Sequence, residues 1–341
     1  MKDRIAAAAA LAAVAALTAC DHAQPFGAPN LGPNVPFSTS FPRQLTFNPL
    51  GDVQPAWLPG DSGIVYSLSV GAPTNDHCLG ILPPGGGHLT ATICHNSPYL
   101  ADSTYALWLP APGPQLGRFA YQRDRSGIGA FAPNASELVL ATLQAPDSGR
   151  VLLQFPYTTP DGSFAGGMRD LQWLSGGTLV LRAGALTFTG PPLTVDTLFT
   201  PVAIDRVDLV GPTVVLSTVP GTSGATSLAT DTVSAMYYTL PGDSRVYRLA
   251  DGAPSPTVWY DFGAAGVPTL IRVAGDGGSG SVLVALVGGT LYAVHGGAGA
   301  PIPLDMPPVA VENIALARSG RFLVVAGGDA GAPDLWLLEV P

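Results

Sequence analysis

One hairpin spelling recurs along this chain of 341 residues, and it constrains the fold more than any other feature. The pattern is an anchor residue, a tight turn and then a β-rich apolar run. "AWLPGDSGIVY" carries it at Trp57, "AFAPNASELVLA" at Phe131, "QWLSGGTLVL" at Trp173 and "IALARSGRFLVV" at Ala315. Weaker copies are "VDLVGPTVVL" at Asp208 and "IRVAGDGGSGSVLVAL" at Arg272. Successive anchors lie 74, 42, 35, 64 and 43 residues apart. With 42 Gly and 34 Pro, the chain could be disordered; its 47% hydrophobic residues, set in short runs between turns, indicate strands instead.

A second signature follows each anchor except Trp173. It is a short strand with a large central residue: Trp108, Leu152, Tyr247, Tyr292 and Trp336, at 51, 21, 39, 20 and 21 residues from the anchor. After Trp173, "ALTFTG" (residues 185–190) stands in. Such intervals suit four-stranded blades, whose apolar faces only neighbouring blades can cover. The expectation is an all-β, six-bladed β-propeller over residues 37–341, with seven blades as the alternative. The final blade is one strand short after "DLWLLEV". "RQLTFN" (residues 43–48) is expected to complete it and close the ring, because an open ring leaves an unpaired edge.

The segment "RQLTFNPLGDVQPAWLPGDSGIVYSL" resembles the repeat of TolB-like propellers, which are akin to WD-repeat propellers. It has Leu45-Thr46, then Pro55-Ala56-Trp57, then a Leu58-Pro59-Gly60-Asp61 turn that lacks the family's serine and reverses its Asp-Gly. The resemblance implies the propeller fold and leans towards binding other envelope proteins, although related propellers also serve as enzyme domains.

Lys2 and Arg4 precede a thirteen-residue apolar run, Ile5 to Leu17, too short to cross a bilayer. "LTAC" then resembles a bacterial lipobox, which implies cleavage before Cys20 and a lipid on its thiol. Ordinary secretion with an incidental cysteine is the plainer alternative. Residues 1–19 are thus read as a signal peptide and residues 20–36 as a flexible tether. The expected location is the cell envelope, periplasm-facing or at the surface. Removing the leader takes the net charge from −9 to −10, since it carries Lys2, Arg4 and Asp3, and it removes the chain's only lysine. Lysine chemistry is therefore excluded, and an acidic chain is a poor partner for nucleic acid.

Cys78 and Cys94 bracket "LGILPPGGGHLTATI" in an apparent insertion of the first blade. A hairpin centred on Gly86 opposes residues whose numbers sum to 172, which places Cys78 across from Cys94. An exported chain would oxidise them to a disulfide. A metal site with His77, His88 and His95 is the alternative, disfavoured because adjacent strand residues point to opposite faces. "GDGGSG" (residues 275–280) spells a dinucleotide loop but is followed by a strand, not a helix. Arg118, Arg123 and Arg125 could grip a carboxylate, or pair with Asp124 and other surface acids. Asp208 and Arg272 occupy anchor positions filled elsewhere by tryptophan, which makes them candidate ligand-binding residues at the channel or its mouth.

No G-x-S-x-G elbow, H-E-x-x-H pair or calcium loop occurs, and no catalytic residue, cofactor or metal is expected. The leading functional expectation is a monomeric, non-catalytic binding or scaffolding module for an envelope protein or glycan. The alternatives are an enzyme acting on a glycan, lactone or peptide, and a purely structural envelope protein. Charged side chains converging in one funnel would favour the enzyme; an apolar mouth would favour the binder.

Overall fold

The structure is a computed structural model that describes residues 41–70, 77–94, 104–114, 117–126, 135–143, 145–174, 177–189, 196–307, 309–328 and 332–341. Cys20, the leader, the tether and the expected domain start at residue 37 lie outside them. The regular structure of the described chain is strand, joined by turns and loops, with two single turns of 3-10 helix at Pro59–Asp61 and Gly263–Ala265. Six four-stranded antiparallel sheets form six blades. Their innermost strands are Asp52–Trp57, Thr104–Pro112, Gly167–Trp173, Ser227–Thr230, Pro268–Ala274 and Ala310–Leu316, for blades 1 to 6. Each packs against the next, and the sixth packs against the first, so the ring closes.

Closure uses the strand expected from the sequence. Arg43–Gln44 pairs antiparallel with Asp334–Glu339 as the outermost strand of blade 6, with Arg43 opposite Leu337 and Gln44 opposite Trp336. The edge that an incomplete blade would expose is thereby covered.

The second strand of blade 5, Val282–Val287, explains why the apolar runs are continuous: all six residues are buried. Alternate side chains leave a strand on opposite faces. Val282, Val284 and Leu286 join the cluster shared with blade 6, while Leu283, Ala285 and Val287 join the one shared with blade 4. Similar clusters fill the gaps between blades 1 and 2, 2 and 3, and 3 and 4. A blade on its own would leave both faces wet, so the core exists only between blades.

Two copies in the sequence alignment of repeats are corrected. Phe131 lies outside the described residues, and the inner strand of blade 2 is the one holding Trp108, read from sequence as a second signature. Asp208 lies on Asp196–Val210, the third strand of blade 3, not at the start of blade 4. "ALTFTG" belongs to the second strand of blade 3, whose described part ends at Thr189. The reason is physical: every turn between antiparallel strands of a blade, inner or outer, obeys the same turn-and-apolar rule. The hairpin around Gly86 is likewise no insertion but strands three and four of blade 1.

Candidate functional site

The inner strands surround an axial channel, and five of them slip register against their neighbours. The slips fall between Val53 and Ala56, Trp108 and Ala111, Arg169 and Gln172, Pro268 and Leu270, and Val311 and Asn313. A bulge of this kind takes a residue out of the ladder and re-aims its side chain. In blades 1 to 3 a bulged residue adopts left-handed backbone: Gln54 at φ 54°, Leu109 at φ 47° and Asp170 at φ 50°. Residues other than glycine rarely hold that conformation unless their surroundings impose it. The bulges are in fact tied to one another, since Gln54 Oε1 accepts the Leu109 N–H at 2.8 Å.

At this level the channel widens into a cavity of about 230 Å³. Arg169 and Asp170 reach it from the inner strand of blade 3, and Arg182 from that blade's second strand. Arg272 enters from blade 5, and Glu312 and Asn313 from blade 6. A second cavity of about 130 Å³, walled by Trp57, Trp173 and Thr230, shares Arg272 and Gln172 with the first.

Asp170 is buried and ion-paired twice, with Arg182 at 3.0 Å and Arg272 at 3.2 Å. Arg272 reaches past blade 4 to do so, and donates to the Leu228 carbonyl of that blade at 3.3 Å. Burial pushes the Asp170 carboxyl up, but the charges and hydrogen bonds of the two guanidiniums outweigh it and hold the group below the usual carboxylate range. Asp170 is thus a fixed anion, already committed to two cations.

Arg169 is in the opposite situation. It is open to channel water, and among the described residues its guanidinium donates no hydrogen bond and forms no ion pair. It stacks over Phe199, ring centroid 5.6 Å away, and Arg182 stacks there too at 5.3 Å. The surrounding protein first, and the like charge of Arg182 second, pull Arg169 below the ordinary arginine value. Gly184 makes room for this stack: a Cβ there would overlap the Phe199 ring and the Thr200 carbonyl. Near Arg169, burial raises the Asp124 carboxyl despite the Gln122 amide that donates to it at 2.8 Å.

The tryptophan anchors serve the walls. Trp57 Nε1 donates to the Ala315 carbonyl at 3.0 Å, and Trp173 Nε1 to the Ala111 carbonyl at 2.8 Å. Each pins its blade to the inner strand of the blade before it.

Of the residues singled out from sequence, Arg272 lines the channel. Asp208 does not line either cavity; it accepts from Arg206 at 2.9 Å and from Thr178 at 2.7 Å, and Arg206 also pairs with Asp251 of blade 4. Cys78 and Cys94 form a disulfide, with Cα atoms 4.6 Å apart. The ladder there pairs Leu79 with Ile93, Gly80 with Thr92 and Ile81 with Ala91, the register centred on Gly86. Arg118 stacks on Trp173 at 5.5 Å and Arg123 pairs with Glu137 at 2.5 Å, so these two do not join in one grip; the Arg125 side chain lies outside the described set. "GDGGSG" is the turn after the inner strand of blade 5. Among the described residues, no group of three His, Cys, Asp or Glu side chains is placed to hold a metal ion.

Sequence reasoning missed Arg169, Asp170, Arg182 and Glu312. A signal for part of this set was present: Gln54, Asp170 and Glu312 each stand three residues before an anchor, at Trp57, Trp173 and Ala315. Alignment on the anchors brings these polar residues into one column.

Neither a protein-family sequence model nor the sequence of a curated protein matches the chain. Solved structures do resemble it. A gluconolactonase from Xanthomonas campestris shares the fold at a TM-score of 0.56 and 16% identity, over 88% of this chain and 89% of that one. An oligogalacturonate lyase in complex with manganese aligns at a TM-score of 0.53 and 12% identity, over 88% and 80%. The calcium-binding protein regucalcin from Agrobacterium tumefaciens aligns at 0.53 and 12%, over 87% and 92%. At these identities the likeness is one of fold: the chain is a six-bladed β-propeller.

Proposed function

We propose that the protein is an enzyme of its axial channel that hydrolyses a small lactone or ester of a sugar-derived acid. One observation carries the reading: charged and polar side chains from blades 1, 3, 5 and 6 meet in one cavity, those of the inner strands of blades 1, 3 and 6 at bulges that turn them inward. A scaffold that binds proteins through outer loops has no need of such convergence. The cavity, about 230 Å³, falls below the roughly 300–1,000 Å³ of drug-sized sites and suits a single sugar unit better than a peptide or glycan chain.

In this reading Arg169 and Arg182 polarise the ester carbonyl and stabilise the oxyanion that forms when water attacks. Glu312, which has no hydrogen-bond or ion-pair partner among the described residues, takes the proton from that water and returns it to the leaving oxygen, which becomes a hydroxyl, as the acyl C–O bond breaks. Asp170 is the structural counter-ion that holds Arg182 and Arg272 in place. That two solved structures of this fold are described as gluconolactonases, one of them putative, supports the reading. We also carry forward two proposals from the sequence. Lipid on Cys20 anchors the propeller to an envelope membrane, and the Leu45-Thr46 and Pro55-Ala56-Trp57 spelling marks kinship with TolB-like propellers.

The test is a pH-stat assay of the purified full chain on aldonolactones and short acyl esters. Turnover above the spontaneous rate, reduced about 10²- to 10⁴-fold in Glu312→Gln, is expected. Rates no faster than buffer for every lactone and ester would refute the enzyme and return the molecule to the binding class.

A further inference from the structure

The charge at the cavity is not evenly spread. Six blades about one axis place blade 3 opposite blade 6. Arg169 and Arg182 both rise from blade 3, and Arg272 is drawn towards it by Asp170. Glu312 and Asn313 stand on blade 6, and Gln54 on the adjoining blade 1. Asp170 offsets one of the three guanidiniums and Asp124 stands near Arg169, so two carboxyl groups face three guanidiniums and the blade 3 side keeps a surplus of positive charge. The far side offers a carboxylate, two side-chain amides and, among the described residues lining the cavity, no cation.

We propose that the cavity is a polarised receptor for a small polyhydroxy carboxylate, bound with its carboxylate on Arg169 and its hydroxyl groups towards Glu312, Asn313 and Gln54. This rests on the reading that the channel cavity is the working site, and it names the ligand class that site selects. Three features of Arg169 carry the argument. Its guanidinium has no acceptor among the described residues, so its donors are free for a ligand. Its guanidinium lies over the Phe199 ring, and an arginine fork resting on an aromatic face loses less freedom when it grips a planar carboxylate bidentately. Its neighbour Asp170 cannot serve instead, being taken by Arg182 and Arg272.

The opposite side completes the selection. Carboxylate and amide groups are good partners for hydroxyls, which both donate and accept. A second carboxylate on the ligand would meet Glu312, so the ligand is anionic at one end only. A neutral polyol of equal length would leave the Arg169 donors without a partner. A dianionic sugar acid would be repelled at blade 6.

The test is calorimetric binding to the full chain with three probes: D-gluconate, D-glucitol and D-glucarate. They share a six-carbon hydroxylated chain and carry one, no and two carboxylates. Gluconate is expected to bind at least about tenfold more tightly than either of the others, a difference of about 1.4 kcal/mol. Arg169→Met, which keeps the apolar stem over Phe199, should bring gluconate down to the affinity of glucitol, and Arg169→Lys should restore part of the preference. Thermal melts of both variants verify that they fold. Glucitol binding as tightly as gluconate, gluconate binding unchanged in Arg169→Met, or no gluconate binding at all would each overturn the proposal. Failure here is separable from failure of the enzyme reading. Gluconate selected through Arg169 without lactone turnover removes only the catalysis. Turnover without gluconate selection removes only the receptor.

Discussion

Asp170 shows how much rests on a single side chain in this fold. It takes a strained backbone, leaves the ladder and draws two guanidiniums from blades 3 and 5 to one buried point. Removing one partner of a buried ion pair strands the other charges, which is more damaging than never having had the pair. Asp170→Ala is therefore expected to cost about 3–5 kcal/mol, read as a lowered urea midpoint. A loss under about 1 kcal/mol would mean that channel water already solvates both arginines. Gly184 has a subtler part. Ala at this position must push Phe199 away, and with it the platform under Arg169 and Arg182. Gly184→Ala should weaken ligand binding in the channel while leaving the circular dichroism of the sheets intact.

At the scale of one element, the outer hairpin of blade 1 was legible in unusual detail. Three successive glycines set its turn, and Gly86 and Gly87 take φ of 79° and 113°, which only glycine adopts freely. Once the turn is fixed, period-two pairing fixes every cross-strand partner, including the cysteines. The disulfide closes a separation of 16 residues, for which loss of the cross-link costs roughly 3 kcal/mol in the chain-entropy model. The Cys78→Ser, Cys94→Ser double variant should melt earlier and its blade 1 amides should exchange faster. If exchange quickens equally in every blade, the ring unfolds as one unit and the local reading fails. The inner strands, by contrast, hid their bulges. A bulge depends on the twist demanded by neighbouring blades, and the adjacent charges Arg169 and Asp170 break the alternation without showing by themselves that the strand bulges there.

The whole molecule is held shut at the seam between blades 6 and 1. There Gln44 Nε2 donates to Asp334 at 2.7 Å, Asn48 Nδ2 donates to Asp52 at 3.0 Å, and the Asp61 carboxylate accepts the Arg318 and Ser319 amides at 2.8 and 3.1 Å. Burial pushes the Asp52 carboxyl up to about 7, against the lowering effect of its Asn48 and Thr46 hydrogen bonds and helped by the nearby Asp334 charge. Its other oxygen is buried without a partner, as suits a neutral acid. Because the folded value lies above the unfolded one, this contribution to stability is complete below about pH 4 and is lost as pH rises through 7. Stability should fall by roughly 2–3 kcal/mol from pH 5 to pH 8. Asp52→Asn should flatten that slope and raise the melting temperature at pH 8. A slope of the same size in the variant would assign it to other groups. The closing strand has its own test. A chain beginning after residue 46 should elute as aggregates, and one beginning at residue 41 as a single compact species, because only the first uncovers the edge of blade 6.

The amino-acid order alone determined that this chain is all β, that it builds six similar sheets, and that a strand near residue 43 closes them. Those properties follow from local rules: turn residues, apolar runs and pairing of period two act over a few residues and leave a trace in the text. What the tertiary structure decided is which hairpins are innermost and which charges meet. The copies read at Phe131 and Asp208 obey the same local rules as true anchors, and only the ring sorts inner strands from outer ones. Arg169, Asp170, Arg272 and Glu312 are spread over 144 residues of chain, and no local rule joins them. They come together because closing the ring about one axis brings the inner strands to a common channel, and interblade packing bends those strands inward at their bulges.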